Sequence, residues 1–161
     1  MDETTELYQN TGYSFDRIQR RTLVLDKTIG IATSFDEKLQ EPLIIDKLSD
    51  IYLDNFTTFD ALINTGTDSI AFLIGVDQLN IKTSTNNATF KDKVSIPNEE
   101  ATGGSKMKVH KGKKYNFICT INPTTLSKLS GTITNIASTP ATNFGSSGRF
   151  ILELLIISRD I

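Results

Sequence analysis

Apolar and β-branched residues in this chain come in short runs, and nearly every run stops at a Gly, Asn, Asp, Ser or Pro. The runs cover residues 51–59, 70–76, 80–84, 93–96, 114–121, 130–135 and 150–158. Runs of this length closed by turn formers read as strands of a meandering sheet. A fold that alternates strands with helices would need helical periods between the runs, and those are missing. The sequence therefore predicts an all-β protein, a single jelly-roll-like sandwich of about eight strands. An immunoglobulin-like sandwich fits less well, because the chain has no Trp and its one Cys cannot make an inter-sheet disulfide.

A chain of 161 residues can hide roughly two thirds of its unfolded surface in one domain, so neither a disulfide nor a metal is needed to fold it. Cys119 alternates with Tyr115, Phe117 and Ile121, which puts the four on one strand face and makes Cys119 a reduced core residue. The longest apolar run, 150–157, contains Glu153 and is flanked by Arg149 and Arg159, far short of the roughly 20 apolar residues of a membrane helix. Residues 1–10 are acidic and polar where a secretory leader is basic and then apolar, so a reducing compartment is expected. A net charge of −2 and a pI near 5.4 argue against nucleic acid as the main partner, since phosphate affinity comes from clustered Lys and Arg that release counterions. One stretch departs from this balance: Lys106, Lys108, Lys111, Lys113 and Lys114 surround His110. It reads either as a solvated hairpin loop leading into a strand at 114, or as a contact for an acidic protein face or a phosphate. No aromatic residue is interleaved with these lysines to stack a base.

Residues 1–21 read as an extended N-terminal arm preceding a domain of 22–161. Leu7, Tyr8, Tyr13, Phe15 and Ile18 are isolated apolar anchors among Asp2, Glu3, Glu6 and Asp16, and such a segment is ordered only when docked on something. Residues 22–33 are β-rich, with a bend or hairpin expected at Asp26-Lys27 and a bulge at Gly30. A short helical turn is expected over 35–41, ended by Pro42, and another over 124–129, capped by Thr124. Gly66 can supply the positive φ of a reversal over 64–69. Runs 71–76 and 150–157 are apolar on both faces, as central strands covered on both sides are. Residues 138–148 and Gly103-Gly104 are loops by composition.

Side chains that do chemistry are scarce. One His and one Cys cannot assemble a zinc site. Asp54, Asn55, Asp60 and Asp68 offer oxygens to calcium, but without the spacing of the helix-loop-helix motif. Gly112-Lys113 is not the end of a phosphate-binding loop, because Met107 stands where its first Gly belongs and Lys114 where a Ser or Thr must reach magnesium. No Gly-x-Ser-x-Gly elbow is present to expose a nucleophile. Glu153, in the middle of the most apolar run, must face a solvated or interface side or pair with a base on a neighbouring strand. General acid–base work at neutral pH most often recruits His, so the chain is expected to be no enzyme and to use no cofactor.

The stretches 49–58 (SDIYLDNFTT), 71–74 (AFLI), 95–98 (SIPN), 111–123 (KGKKYNFICTINP) and 149–153 (RFILE), within about residues 49–160, form a pattern of strands and turns. In these stretches the chain resembles small jelly-roll virion proteins, minor capsid components of large icosahedral DNA viruses of algae and other protists. The resemblance implies a virion building block made in the host cytoplasm, acting through contacts with other capsid proteins and with copies of itself. It carries no catalytic residue. The candidate partner contacts are Tyr8, Tyr13 and Phe15 in the arm and Lys106, Lys108, Lys111 and Lys113 in the basic stretch. A glycan-reading or receptor-binding module of the same architecture, displayed on a particle surface, is the alternative, since fold does not decide function.

Overall fold

The computed structural model describes residues 20–62, 66–99, 106–110 and 116–159. Among them nine strands carry the fold: β1 (Arg20–Thr28), β2 (Ser34–Ile45), β3 (Ser49–Ala61), β4 (Ala71–Val76), β5 (Val94–Pro97), β6 (Met107–Val109), β7 (Asn116–Ile121), β8 (Thr124–Thr134) and β9 (Phe144–Ser158). All pairings are antiparallel: β1 with β9, β2 with β8, β3 with both β6 and β7, β4 with β5. The first strand thus pairs with the last and the pairing proceeds inward, as in a long hairpin rolled up on itself, which is the jelly roll. The further pairs β3–β9 and β4–β8 complete a five-stranded sheet, β1-β9-β3 with β6 and β7 along the same edge, and a four-stranded sheet, β2-β8-β4-β5. The all-β sandwich expected from the runs is the structure found.

The two sheets close on an apolar core in which Phe56, Phe72, Phe144 and Phe150 are fully buried. Phe56 meets Phe72 edge-on with centroids 5.2 Å apart, and Phe144 lies 5.3 Å from Phe72. Pairs in this geometry contribute about 0.5–1.5 kcal/mol beyond the area they bury. Cys119 is buried in the same core and unpaired, as its strand position implied.

Both expected helical turns are strands. Phe35 and Leu39 are four apart and Leu126 and Leu129 three apart, which imitates a helical face. Phe35 and Leu39 share one face by ordinary strand alternation, whereas Leu126 and Leu129 straddle a register shift in which β2 runs from Lys38 to Leu43 while β8 runs only from Lys128 to Leu126. Pro42 lies in this bulge on an edge strand, where its missing N–H breaks no interior ladder. Asp26 and Lys27 leave β1 straight because each charge is engaged. Arg149 donates to Asp26 at 2.8 and 2.6 Å, and Lys27 meets Glu37 of β2 at 2.5 Å. The reversal comes at Gly30, whose φ is 57°, and the amides of Ile29 and Gly30 both donate to the Gly148 carbonyl.

Other boundaries move as well. Arg20 and Arg21, assigned to the arm, already belong to β1, and residues 1–19 lie outside the described residues. Residues 80–84 form no strand; Leu79 and Ile81 fill the core from an irregular segment. Residues 114 and 115 lie outside the described residues, and in β7 the expected common face breaks: Cys119 and Ile121 are buried, but Phe117 is turned out. There β7 uses one more residue than β3, so Cys119 pairs with Ile51 while Phe117 pairs with Tyr52. Phe144 to Gly148, expected in a loop, open β9 instead. The strand β4 is buried on both faces as expected, whereas β9 is buried on one face and only half-buried on the other.

Candidate functional site

The exception at β9 defines the site. Phe150, Leu152, Leu154 and Ile156 point into the core, so Ile151, Glu153, Leu155 and Ile157 face outward. The register extends that outer face across the sheet: Val24 lies beside Glu153, Thr57 between Ile151 and Val109, Phe59 between Arg149 and Met107, and Tyr52 between Leu155 and Phe117. Val24, Phe59, Met107, Val109 and Phe117 are 37–66% exposed. Five of the eight large apolar side chains exposed among the described residues thus share one sheet face. Tyr52 and Phe117 meet edge-on at 5.8 Å, a pair made entirely on this outer side. The outer side of the other sheet is different in kind, with Asp36, Lys38, Lys128 and Ser130 side by side on β2 and β8. At one end of the apolar face, Thr28, Phe59, Met107 and Arg149 border a shallow groove of about 370 Å3.

Two ion pairs fix opposite ends of the face. Arg149 holds Asp26, and Arg159 donates to both oxygens of Asp50 at 2.9–3.1 Å, with the Thr120 hydroxyl adding a bond of 2.8 Å. The hydrogen bonds from Arg149 hold the Asp26 carboxyl below its ordinary range, and those from Arg159, then Thr120, do the same for Asp50. Pairs this exposed add little stability; between them the face carries Val24, Ile151 and Leu155 together with Glu153. Glu153 takes the first of its two expected options and faces the outer side, opposite Val24 and Asn55.

His110, expected in a solvated Lys-rich loop, is 3% exposed. Its ring packs edge-on against Phe72 at 4.9 Å and beside Phe56 at 5.4 Å. The backbone N–H of Glu99 donates to Nδ1 at 3.1 Å, so the proton resides on Nε2 and is donated to Thr58 Oγ1, 2.6 Å away. Burial pushes the His110 pKa down to about 4, against the Glu99 carboxylate and a backbone hydrogen bond with Pro97, and Lys108 adds to the lowering. The ring is neutral at neutral pH with both nitrogens engaged, and it ties the end of β6 to β3 and to the chain leaving β5.

The basic stretch is therefore not one loop. Lys106 lies 3.8 Å from Asp60 at the foot of β6, and Lys108 sits half-buried within β6 opposite Thr58. Lys111 and Lys113 lie outside the described residues, as do Tyr8, Tyr13 and Phe15. The acidic positions do not converge: Asp54 is exposed on β3, Asp60 accepts from the Ser147 amide at 3.0 Å, and Asp68 lies in a 3-10 turn. Among the described residues no three His, Cys, Asp or Glu side chains gather to hold a metal, and no helix is long and apolar enough to cross a membrane. No family model, curated protein or solved structure matches the chain.

Proposed function

We propose that this protein is a non-enzymatic virion component, a minor capsid protein that links neighbouring capsid subunits through protein–protein contacts. The observation that carries the reading is the outward apolar face of the five-stranded sheet, centred on Ile151 and Leu155 and bordered by Phe59, Met107 and Phe117. A soluble monomer gains nothing from a sheet apolar on both sides, while a partner covering it gains about 25 cal/mol for each Å2 of apolar surface removed from water. The jelly-roll frame and the resemblance of residues 49–160 to small virion proteins support the same reading. Its partners are then other capsid proteins and copies of itself, and its place is the virion.

Cross-linking mass spectrometry on purified particles tests this. The expected result is the protein in the particle, with links from β6 and β7 to a capsid neighbour. The paired substitution Met107→Glu and Phe117→Glu, on exposed positions, is expected to keep the β circular-dichroism signal and abolish incorporation. A protein that is strictly monomeric and absent from particles overturns the proposal. The groove beside Phe59 and Arg149 favours a second reading, a glycan- or receptor-binding module, which one reproducible glycan-array hit lost in Arg149→Ala would establish.

A further inference from the structure

The apolar face has a candidate occupant in the chain itself. Residues 1–19 end where β1 begins, and Arg20 is an outer-side residue at the corner of this face, paired with Ile157. A single reversal at that corner would be enough to direct the preceding chain across the sheet. Leu7, Tyr8, Tyr13, Phe15 and Ile18 are apolar anchors, and five of the eight large apolar side chains exposed among the described residues lie on this face. The void left between the sheets, beside Leu53, Ile74 and Leu152, measures about 10 Å3, no more than one water fills. The outer side of β2 and β8 carries Asp36, Lys38 and Lys128, with Ile44 a single exposed apolar residue.

The lengths also agree. From the row of Arg20 and Ile157 to the row of Thr28 and Arg149 is eight strand residues, about 26 Å. The eleven steps from Ile18 back to Leu7 span up to about 36 Å when extended. That length is enough for a segment leaving Arg20 to span the face from Leu155 and Phe117 to the groove at Phe59 and Met107.

We propose that residues 1–19 dock on the outer face of their own five-stranded sheet, sheathing it in the free subunit. A short tether gives the arm an effective concentration on the order of millimolar at this face, which a second copy does not match in dilute solution. The inference concerns the free protein and holds whether or not the virion reading does.

Met107, the most exposed of the apolar residues on this face, supplies the readout. Its conversion to the sulfoxide by hydrogen peroxide is followed by mass spectrometry in the full chain, in a deletion of residues 1–19, and in the triple variant Leu7→Ser, Tyr13→Ser, Phe15→Ser. Circular dichroism checks that each is folded. The expected result is oxidation several-fold slower in the full chain than in either variant, with the ratio unchanged across a wide dilution series. Equal rates in all three overturn the proposal. Protection that fades on dilution overturns it too, because the face is then covered by a second copy. If the deletion fails to fold, the triple variant, which keeps every backbone position, decides alone.

Discussion

Between about pH 6.5 and pH 4 this protein should lose stability through His110. The ring is buried and neutral, with its pKa lowered from 6.5 to about 4. In the unfolded chain it binds a proton near pH 6.5, so between those values the unfolded state holds more protons and stability rises with pH. Read downward, stability is lost from about pH 6.5 until the folded ring itself protonates near pH 4. The full span of about 2.5 units corresponds to a loss of about 3 kcal/mol, of which about 2 kcal/mol is gone by about pH 5. His110→Gln removes the titration and isolates it. At about pH 8 the variant is expected to be less stable by about 1–3 kcal/mol, since Thr58 Oγ1 and the Glu99 amide lose a buried partner. Urea unfolding of both proteins across this range gives the difference curve. The variant's deficit should shrink as pH falls and approach zero or reverse near pH 5, with carboxylate contributions cancelling between the two. A flat difference curve would mean that His110 titrates as it does in water, and the buried pin between β3, β5 and β6 would be refuted.

Three further outcomes follow from particular contacts. A Cβ at Gly131 would lie 1.8 Å from the Gly75 carbonyl oxygen across the β4–β8 ladder, whereas one at Gly75 meets nothing closer than 3.5 Å. Gly131→Ala should therefore cost roughly 3 kcal/mol or more in urea unfolding and Gly75→Ala well under 1 kcal/mol; similar costs would show that the two strands can part. Burial raises the Cys119 thiol to about 11, so a thiol-reactive disulfide reagent should label the folded protein only at the rate at which the core opens, and fast labelling without denaturant would put Cys119 outside it. Arg159→Gln removes the main group that lowers the Asp50 carboxyl, so carboxylate NMR should show Asp50 titrating at higher pH in the variant, with the Thr120 bond leaving part of the original shift. The stability Arg159 lends through Asp50 is present above the ordinary carboxylate pKa and is lost as pH falls through the lowered one.

The class of the fold was legible because turn residues and short apolar runs are local signals, whereas the strand order is set by the distant pairings β1–β9, β2–β8 and β3–β7. What misled was local evidence overruled by distant pairing. By sequence Lys27 reads as part of a bend and Glu37 as part of a helical turn, and the two are partners across the two sheets. Leu126 and Leu129 looked helical because of a bulge in β2, roughly 85 residues earlier in the chain. Five lysines around His110 make a solvated average, yet the ring's position is set by Thr58, Phe72 and Glu99, none of them near it in sequence.

The outer face was present in the sequence in a form that admits a sharper reading than burial on both sides. A strand apolar on both faces has two explanations: it lies between covering layers, or its second face is an interface. In a two-layer sandwich each sheet has one inner side, so Ile151, Leu155 and Ile157 cannot share the core taken by Phe150, Leu152, Leu154 and Ile156. Only β4 escapes this constraint, because both its faces are in fact buried. The charge of Glu153 within the outer set fits the same logic, since a carboxylate tolerated there needs water or a polar partner and finds neither in a closed core. Once two layers are inferred from the strand pattern, a doubly apolar strand interrupted by one acid on a single face marks an apolar outer surface. In this chain that surface lies at the centre of the five-stranded sheet.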